Sequence, residues 1–203
     1  FRGVDVFQLK NSDTCQVDVN CSEGAGWEGQ RDAVVRLSIA KSDGVYFCSG
    51  ALINNEREDC KPYILSAFHC IEDNGNPTSA GNLQQMVVRF NYQKANCNSG
   101  GANAQTMSGS TLRAHSDDPN VEGSDFCLLE LDEDVPFEYN PFMAGWKVSE
   151  TPAESGVSIH HPSGDVKKIS TYNSTSGRDQ FSVSHLKPWS VNWVATINGH
   201  GVT

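Results

Sequence analysis

No apolar pattern in this chain holds a helical period for long. Short runs rich in branched and aromatic residues recur instead, with turn signals between them, which restricts the chain to an all-β architecture, a barrel or a sandwich. Residues 33–39 alternate imperfectly and end at Lys41-Ser-Asp-Gly44, a turn. Residues 45–53 form a second run, whose internal Ser49-Gly50 signals a bulge or a close approach of backbone. Tyr63-Ile-Leu-Ser-Ala-Phe-His-Cys70 is a third, followed by strand-like runs at 86–93, 111–114 and 125–131. Residues 94–110 read as a polar loop centred on Ser99-Gly100-Gly101. After Pro136 and Pro141 a second set begins, at 143–148, 156–160, 166–172, 180–184 and 190–196. The expected organisation is an arm over 1–32, a first barrel over 33–135 and the start of a second over 136–203.

Composition narrows the partners. The formal net charge is −10 and the pI near 4.9, with no Lys/Arg run longer than Lys167-Lys168. Phosphate binding needs a basic patch, so nucleic acid and anionic membranes are not expected partners. No stretch has the length of apolar residues that spans a bilayer. Phe1-Arg2-Gly3-Val4-Asp5 is not a charged segment leading into an apolar one, so an exported chain would already have shed its leader.

Seven cysteines, Cys15, Cys21, Cys48, Cys60, Cys70, Cys97 and Cys127, are spread singly along the chain with no Cys-x-x-Cys pair. That distribution favours disulfides and an oxidising, extracellular setting over structural zinc. The odd number leaves one without a partner.

His69 carries the strongest chemical signal. It closes a buried apolar run and is expected at a strand end, held by the core with its ring at the edge, as a general base requires. Asp125 follows Gly123-Ser124 and opens the apolar run 125–131. A carboxylate there can fix the tautomer of a neighbouring imidazole, or simply cap its own strand. The order histidine, aspartate, and then a serine still to come is one known order of the serine-protease triad.

With these residues in place, the chain resembles the trypsin-like serine proteases, and among them the secreted bacterial lysyl endopeptidases. The likeness is carried by Cys15-Gln-Val-Asp-Val-Asn-Cys21, Cys48-Ser-Gly-Ala-Leu-Ile-Asn-Asn55, Ser66-Ala-Phe-His-Cys70, Phe90-Asn-Tyr-Gln93 with Cys97, Ser108-Gly-Ser-Thr111, Ser124-Asp-Phe-Cys-Leu-Leu-Glu-Leu131, Ala144-Gly-Trp146, and Ile159-His-His-Pro162 with Lys168-Ile-Ser170. The resemblance implies two six-stranded antiparallel barrels of the chymotrypsin type, the second incomplete here. It makes His69 the general base and Asp125 its orienting acid, with polypeptide substrates, a preference for Lys or Arg before the scissile bond, and no cofactor. It implies disulfides Cys48–Cys70 and Cys21–Cys97. The family's partner for Cys15 lies near the end of the domain and has no counterpart in these residues. Cys60 and Cys127 have no family match. Left over together, they leave a third bridge open; against it stands the antiparallel pairing that brings Asp125 to His69, which sets Cys127 against Ser66 rather than Cys60.

The sequence departs from the family at its end. The nucleophile's Gly-x-Ser-Gly motif is expected after the segment matching 190–203, so the serine and the specificity pocket would lie beyond Thr203 in a further C-terminal segment. Neither Ser49-Gly50 nor Ser163-Gly164 substitutes well. A protease-like scaffold used for binding or adhesion, with His69 and Asp125 as relics, is the alternative. Other features read as structural. His160-His161 on a strand point to opposite faces and do not converge on a metal. His115 reads as a surface residue, and His185 and His200 fall in polar loops. Asp132-Glu133-Asp134 reads as a solvated turn. Asn20 and Asn173 match the glycosylation pattern, which matters only in a eukaryotic secretory host.

Overall fold

The computed structural model describes residues 12–116, 123–178 and 188–200. Expectations for 180–184, His185 and the last three residues lie outside them. The chain is antiparallel β almost throughout, and its strands form two main sheets.

The first sheet has seven strands. In chain order they are β2 (Val34–Lys41), β3 (Gly44–Ile53), β4 (Tyr63–Ala67), β7 (Val87–Asn96), β8 (Ser99–Ser108), β9 (Ser110–His115) and β10 (Phe126–Leu131), arranged β8-β7-β2-β3-β4-β10-β9. Two-residue strands β5 (Glu72–Asp73) and β6 (Asn76–Pro77) pair beside it, and β1 (Val17–Asp18) belongs to the second sheet. All six expected strands of the first barrel are present. The seventh, β8, covers most of the polar stretch read as loop: it pairs with β7 through backbone bonds while most of its side chains face solvent.

Alternation decides which face packs. Val35, Leu37 and Ile39 of β2 point inward with Leu52, Ile64, Val88, Phe90 and Leu129 into one core. Burying each such side chain contributes about 1.5–3 kcal/mol. Gly50 is small because the sheet closes tightly there: a β-carbon would sit 2.6 Å from Ile64 Cγ2. The Ser49-Gly50 signal is therefore a close approach.

The second sheet joins β1 to β12 (Lys168–Arg178), with β11 (Gly156–His160) on β12 and β13 (Trp189–Trp193) pairing β12 further along. A last hairpin pairs β14 (Ala195–Thr196) with β15 (Gly199–His200). Residues 143–148 form no strand. Ala144 makes one isolated bridge, donating to Leu52 O and accepting from Asn54 N, between Pro141 and Gly145. The arm is tied down: Val17, Val19 and Cys21 are buried with Ile169 in a second core. Asp18 is buried between Lys94 (3.0 Å) and Lys168 (2.6 Å). Burial alone would raise its carboxyl, but bonds from Lys168 and Lys94 outweigh that and hold it below the usual range.

Two disulfides form, Cys21–Cys97 and Cys48–Cys70, the pairs the resemblance implies. The first joins the arm to the β7–β8 hairpin. Cys60 and Cys127 do not bridge. Cys127 is buried opposite Ser66 and its thiol donates to Ala67 O at 3.2 Å, whereas Cys60 is exposed in the loop before β4. Burial pushes the Cys127 thiol up to about 12, so it is inert.

The sheets meet at a seam. The turn after β11, Pro162–Gly164, lies on the outer face of β2 and β3. There His161 N donates to Ser49 Oγ at 2.8 Å, Arg36 Nη1 to Gly164 O at 2.6 Å, and Lys167 N to Tyr92 O at 2.8 Å.

Candidate active site

His69 does not end strand β4, as its sequence position suggested. The strand stops at Ala67 and the chain turns through one helical turn, α2 (Phe68–Ile71), with His69 on it. The reason is amphipathic. That turn buries Phe68, Cys70 and Ile71 and leaves the His69 side chain 67% exposed. Phe68 stacks on His115 of β9, with ring centroids 4.7 Å apart, so His115 lies at the surface but supports the turn. Cys70 is bridged to Cys48 of β3, and Lys41 Nζ donates to the His69 carbonyl at 2.8 Å. The backbone carrying the imidazole is thus anchored on several sides while the ring faces outward.

Asp125 is delivered by register. Strand β10 pairs with β4 antiparallel, Phe126 opposite Ala67 and Cys127 opposite Ser66. The residue before β10 then lies beside the residues after β4. Asp125 O accepts from Phe68 N at 3.0 Å, and its carboxylate spans two donors of His69: Oδ1 takes the backbone N–H at 2.8 Å and Oδ2 meets Nδ1 at 2.7 Å. An ionised carboxylate only accepts, so Nδ1 carries the hydrogen and the neutral ring's lone pair is on Nε2. Asp125 adopts a left-handed backbone, φ 52°. Aspartate and asparagine tolerate that region better than most residues. The sequence offered no direct sign of it beyond the preceding Gly123-Ser124.

The remaining candidates sit elsewhere. His161 is buried, its Nδ1–H donating to Asp165 O at 2.9 Å; burial, and then the nearby Lys167 charge, push it down to about 3, so it is neutral. Ser49 Oγ is held by the His161 amide and Ser66 Oγ donates to Ser49 O. Asp132 accepts from Thr111 Oγ1 and its neighbours are exposed. Among the described residues, the group with metal-ligand geometry is Cys48, His69 and Cys70, but its two sulfurs are bonded to each other.

A histidine and an aspartate are locked together beside a disulfide on an antiparallel β fold of the chymotrypsin type. Solved structures agree on the fold. A chain described as "Structure of GrC" superposes with a TM-score of 0.55 at 16% identity, covering 78% of this chain and 68% of that one. A thermostable serine protease, AL20, from an extremophilic microorganism superposes at 0.54 and 10% identity, covering 81% and 80%. At such identities the likeness is one of fold alone.

The sequence is more specific. Residues 9–203 match the family of lysyl endopeptidase C-terminal domains, and the chain belongs to that family. A lysyl endopeptidase of Pseudomonas aeruginosa (strain PAO1) is 32% identical over 171 residues, 80% of this chain. The chain spans 35% of that relative's length.

Proposed function

We propose that the complete protein is a secreted serine endopeptidase that cleaves polypeptides through an acyl-enzyme. In this reading His69 Nε2 takes the proton of a serine encoded after Thr203 and passes it to the leaving amine. Asp125 holds the ring in the Nδ1–H tautomer and stabilises the imidazolium as it forms. The observation that carries this is the 2.7 Å contact between His69 Nδ1 and Asp125 Oδ2, with the second carboxylate oxygen on the His69 amide. No resident cofactor or metal enters the mechanism. The described serines near the seam, Ser49 and Ser66, are engaged in structural bonds, which supports a nucleophile elsewhere and an inactive chain when residues 1–203 stand alone.

Family membership supports cleavage after Lys, with Arg second, and the two disulfides support an extracellular protein. The test is turnover of a peptide library by the complete protein and its His69→Ala variant. Cleavage after Lys, abolished by the substitution, is expected. Cleavage after aromatic residues refutes the basic preference, and unchanged turnover in the variant refutes the role of His69. Binding of peptides with no turnover by the native protein marks the inert scaffold instead.

A further inference from the structure

The seam between the sheets holds more positive charge than its surroundings neutralise. Register sets Arg36 of β2 directly opposite Arg89 of β7. Residues so placed have β-carbons about 5 Å apart, and like charges there repel. Both guanidinium groups gather at the Tyr92 ring, Arg36 Cζ 4.3 Å and Arg89 Cζ 5.9 Å from its centroid, and Phe47 covers Arg36 at 4.9 Å.

Arg36 is completely buried. Its Nη1 donates to Gly164 O and the Tyr92 hydroxyl lies near enough to favour the charge, but Nε and Nη2 make no well-aligned hydrogen bond among the described residues, and neither does the buried Nε of Arg89. Asp165 is the carboxylate whose field reaches Arg36, but Ser12 takes its Oδ2 and Val166 N its Oδ1. His161 carries its hydrogen on Nδ1, so its Nε2 lone pair can accept an N–H, but a neutral acceptor cancels none of the positive charge. Buried charge is costly unless paired, and aromatic faces offset only part of that cost. A water molecule would satisfy an N–H without cancelling the repulsion between two guanidinium groups.

We propose that Arg36 and Arg89 together hold a small monovalent anion of chloride size between β2 and β7, clamping the first sheet to the turn that carries His161 and Gly164. The donors are the two Nε–H groups and Arg36 Nη2–H, which leave Nη1 on the Gly164 carbonyl. The site is apart from His69 and Asp125, so it stands whether or not the protease reading does.

The test is thermal unfolding of the protein at fixed ionic strength, with chloride replacing gluconate, a bulky organic anion. Above the dissociation constant the midpoint climbs by equal steps for each tenfold rise in chloride. Bromide substitutes for chloride. Line broadening of chloride-35 resonance reports the bound ion directly and saturates with protein. Arg89→Met, at a partly exposed position, flattens the midpoint response and removes the broadening, as does Arg36→Met if it folds. The exposed Arg57→Gln leaves both intact. A midpoint indifferent to chloride, or a response unchanged in Arg89→Met, overturns the proposal and leaves a buried water to complete the arginines.

Discussion

Replacing Asp125 with Asn separates what the carboxylate does for the fold from what it does for the reaction. Asparagine has the same size and accepts the left-handed backbone at φ 52°. Its oxygen can still take the His69 amide, now at 2.8 Å from Oδ1, so the turn keeps its anchor. The other contact inverts. An amide nitrogen at the Oδ2 position donates, and at 2.7 Å it forces Nδ1 to accept. The hydrogen moves to Nε2, the nitrogen that receives the serine proton in the proposed mechanism. In the serine-protease template this tautomer reversal lowers kcat by about four orders of magnitude, or roughly 5.5 kcal/mol of transition-state stabilisation. Stability should change little: the His69 side chain is 67% exposed, and a polar contact that open contributes under about 1 kcal/mol. The assay is kcat and KM of the complete protein on a lysyl peptide, beside urea unfolding of the same sample. The expected result is kcat down by about 10⁴-fold with KM and unfolding midpoint nearly unchanged. A variant retaining a tenth of native kcat, or one that loses activity only because it unfolds, refutes the reasoning.

The disulfides should differ in worth by the loops they close. Chain entropy gives about 3.4 kcal/mol for Cys48–Cys70, 22 residues apart, and about 4.5 kcal/mol for Cys21–Cys97, 76 apart; double Cys→Ser variants in urea unfolding check this, and the reverse order counts against it. Lys167 is buried with Nζ donating to Arg31 O, and burial pushes its ammonium from 10.5 down to about 7. The unfolded chain therefore binds the proton up to its higher value, and stability should rise as pH goes from about 7 to 10.5, the penalty being complete below that window, with a ceiling of about 5 kcal/mol. Lys167→Met should remove this slope from urea midpoints measured across the window; a variant with the native slope refutes the assignment.

How much of this was legible in the sequence depended on whether side chains or backbone carried the information. The strands of the first core announce themselves because Val35, Leu37 and Ile39 alternate with outward residues. The setting of Cys127 against Ser66 followed once Asp125 was brought to His69, since antiparallel pairing leaves no freedom after one pair is fixed. Strand β8 was not legible, because its residues stay mostly exposed and its pairing is made by backbone groups that any side chain allows. The helical turn at His69 was hidden for a different reason. Phe68, Cys70 and Ile71 are as apolar as a strand's residues, and a run that short fits either period. The seam was missed because Arg36 and Lys167 are residue types expected at the surface, and their burial arises from the packing of two sheets.

The two disulfides are concentric along the chain. The bond between Cys21 and Cys97 encloses the one between Cys48 and Cys70, and His69 lies within both rings. A protein proposed to cut after lysine works among copies of itself, and Lys41 and Lys61 both fall inside the outer ring, Lys61 on an exposed loop inside the inner one. A nick at Lys61 would leave two ends that cannot diffuse apart, held by one ring at Cys48–Cys70 and again by the ring around it. The covalent layout thus makes the histidine's half of the site tolerant of self-inflicted damage: a cut there opens a loop without releasing a fragment.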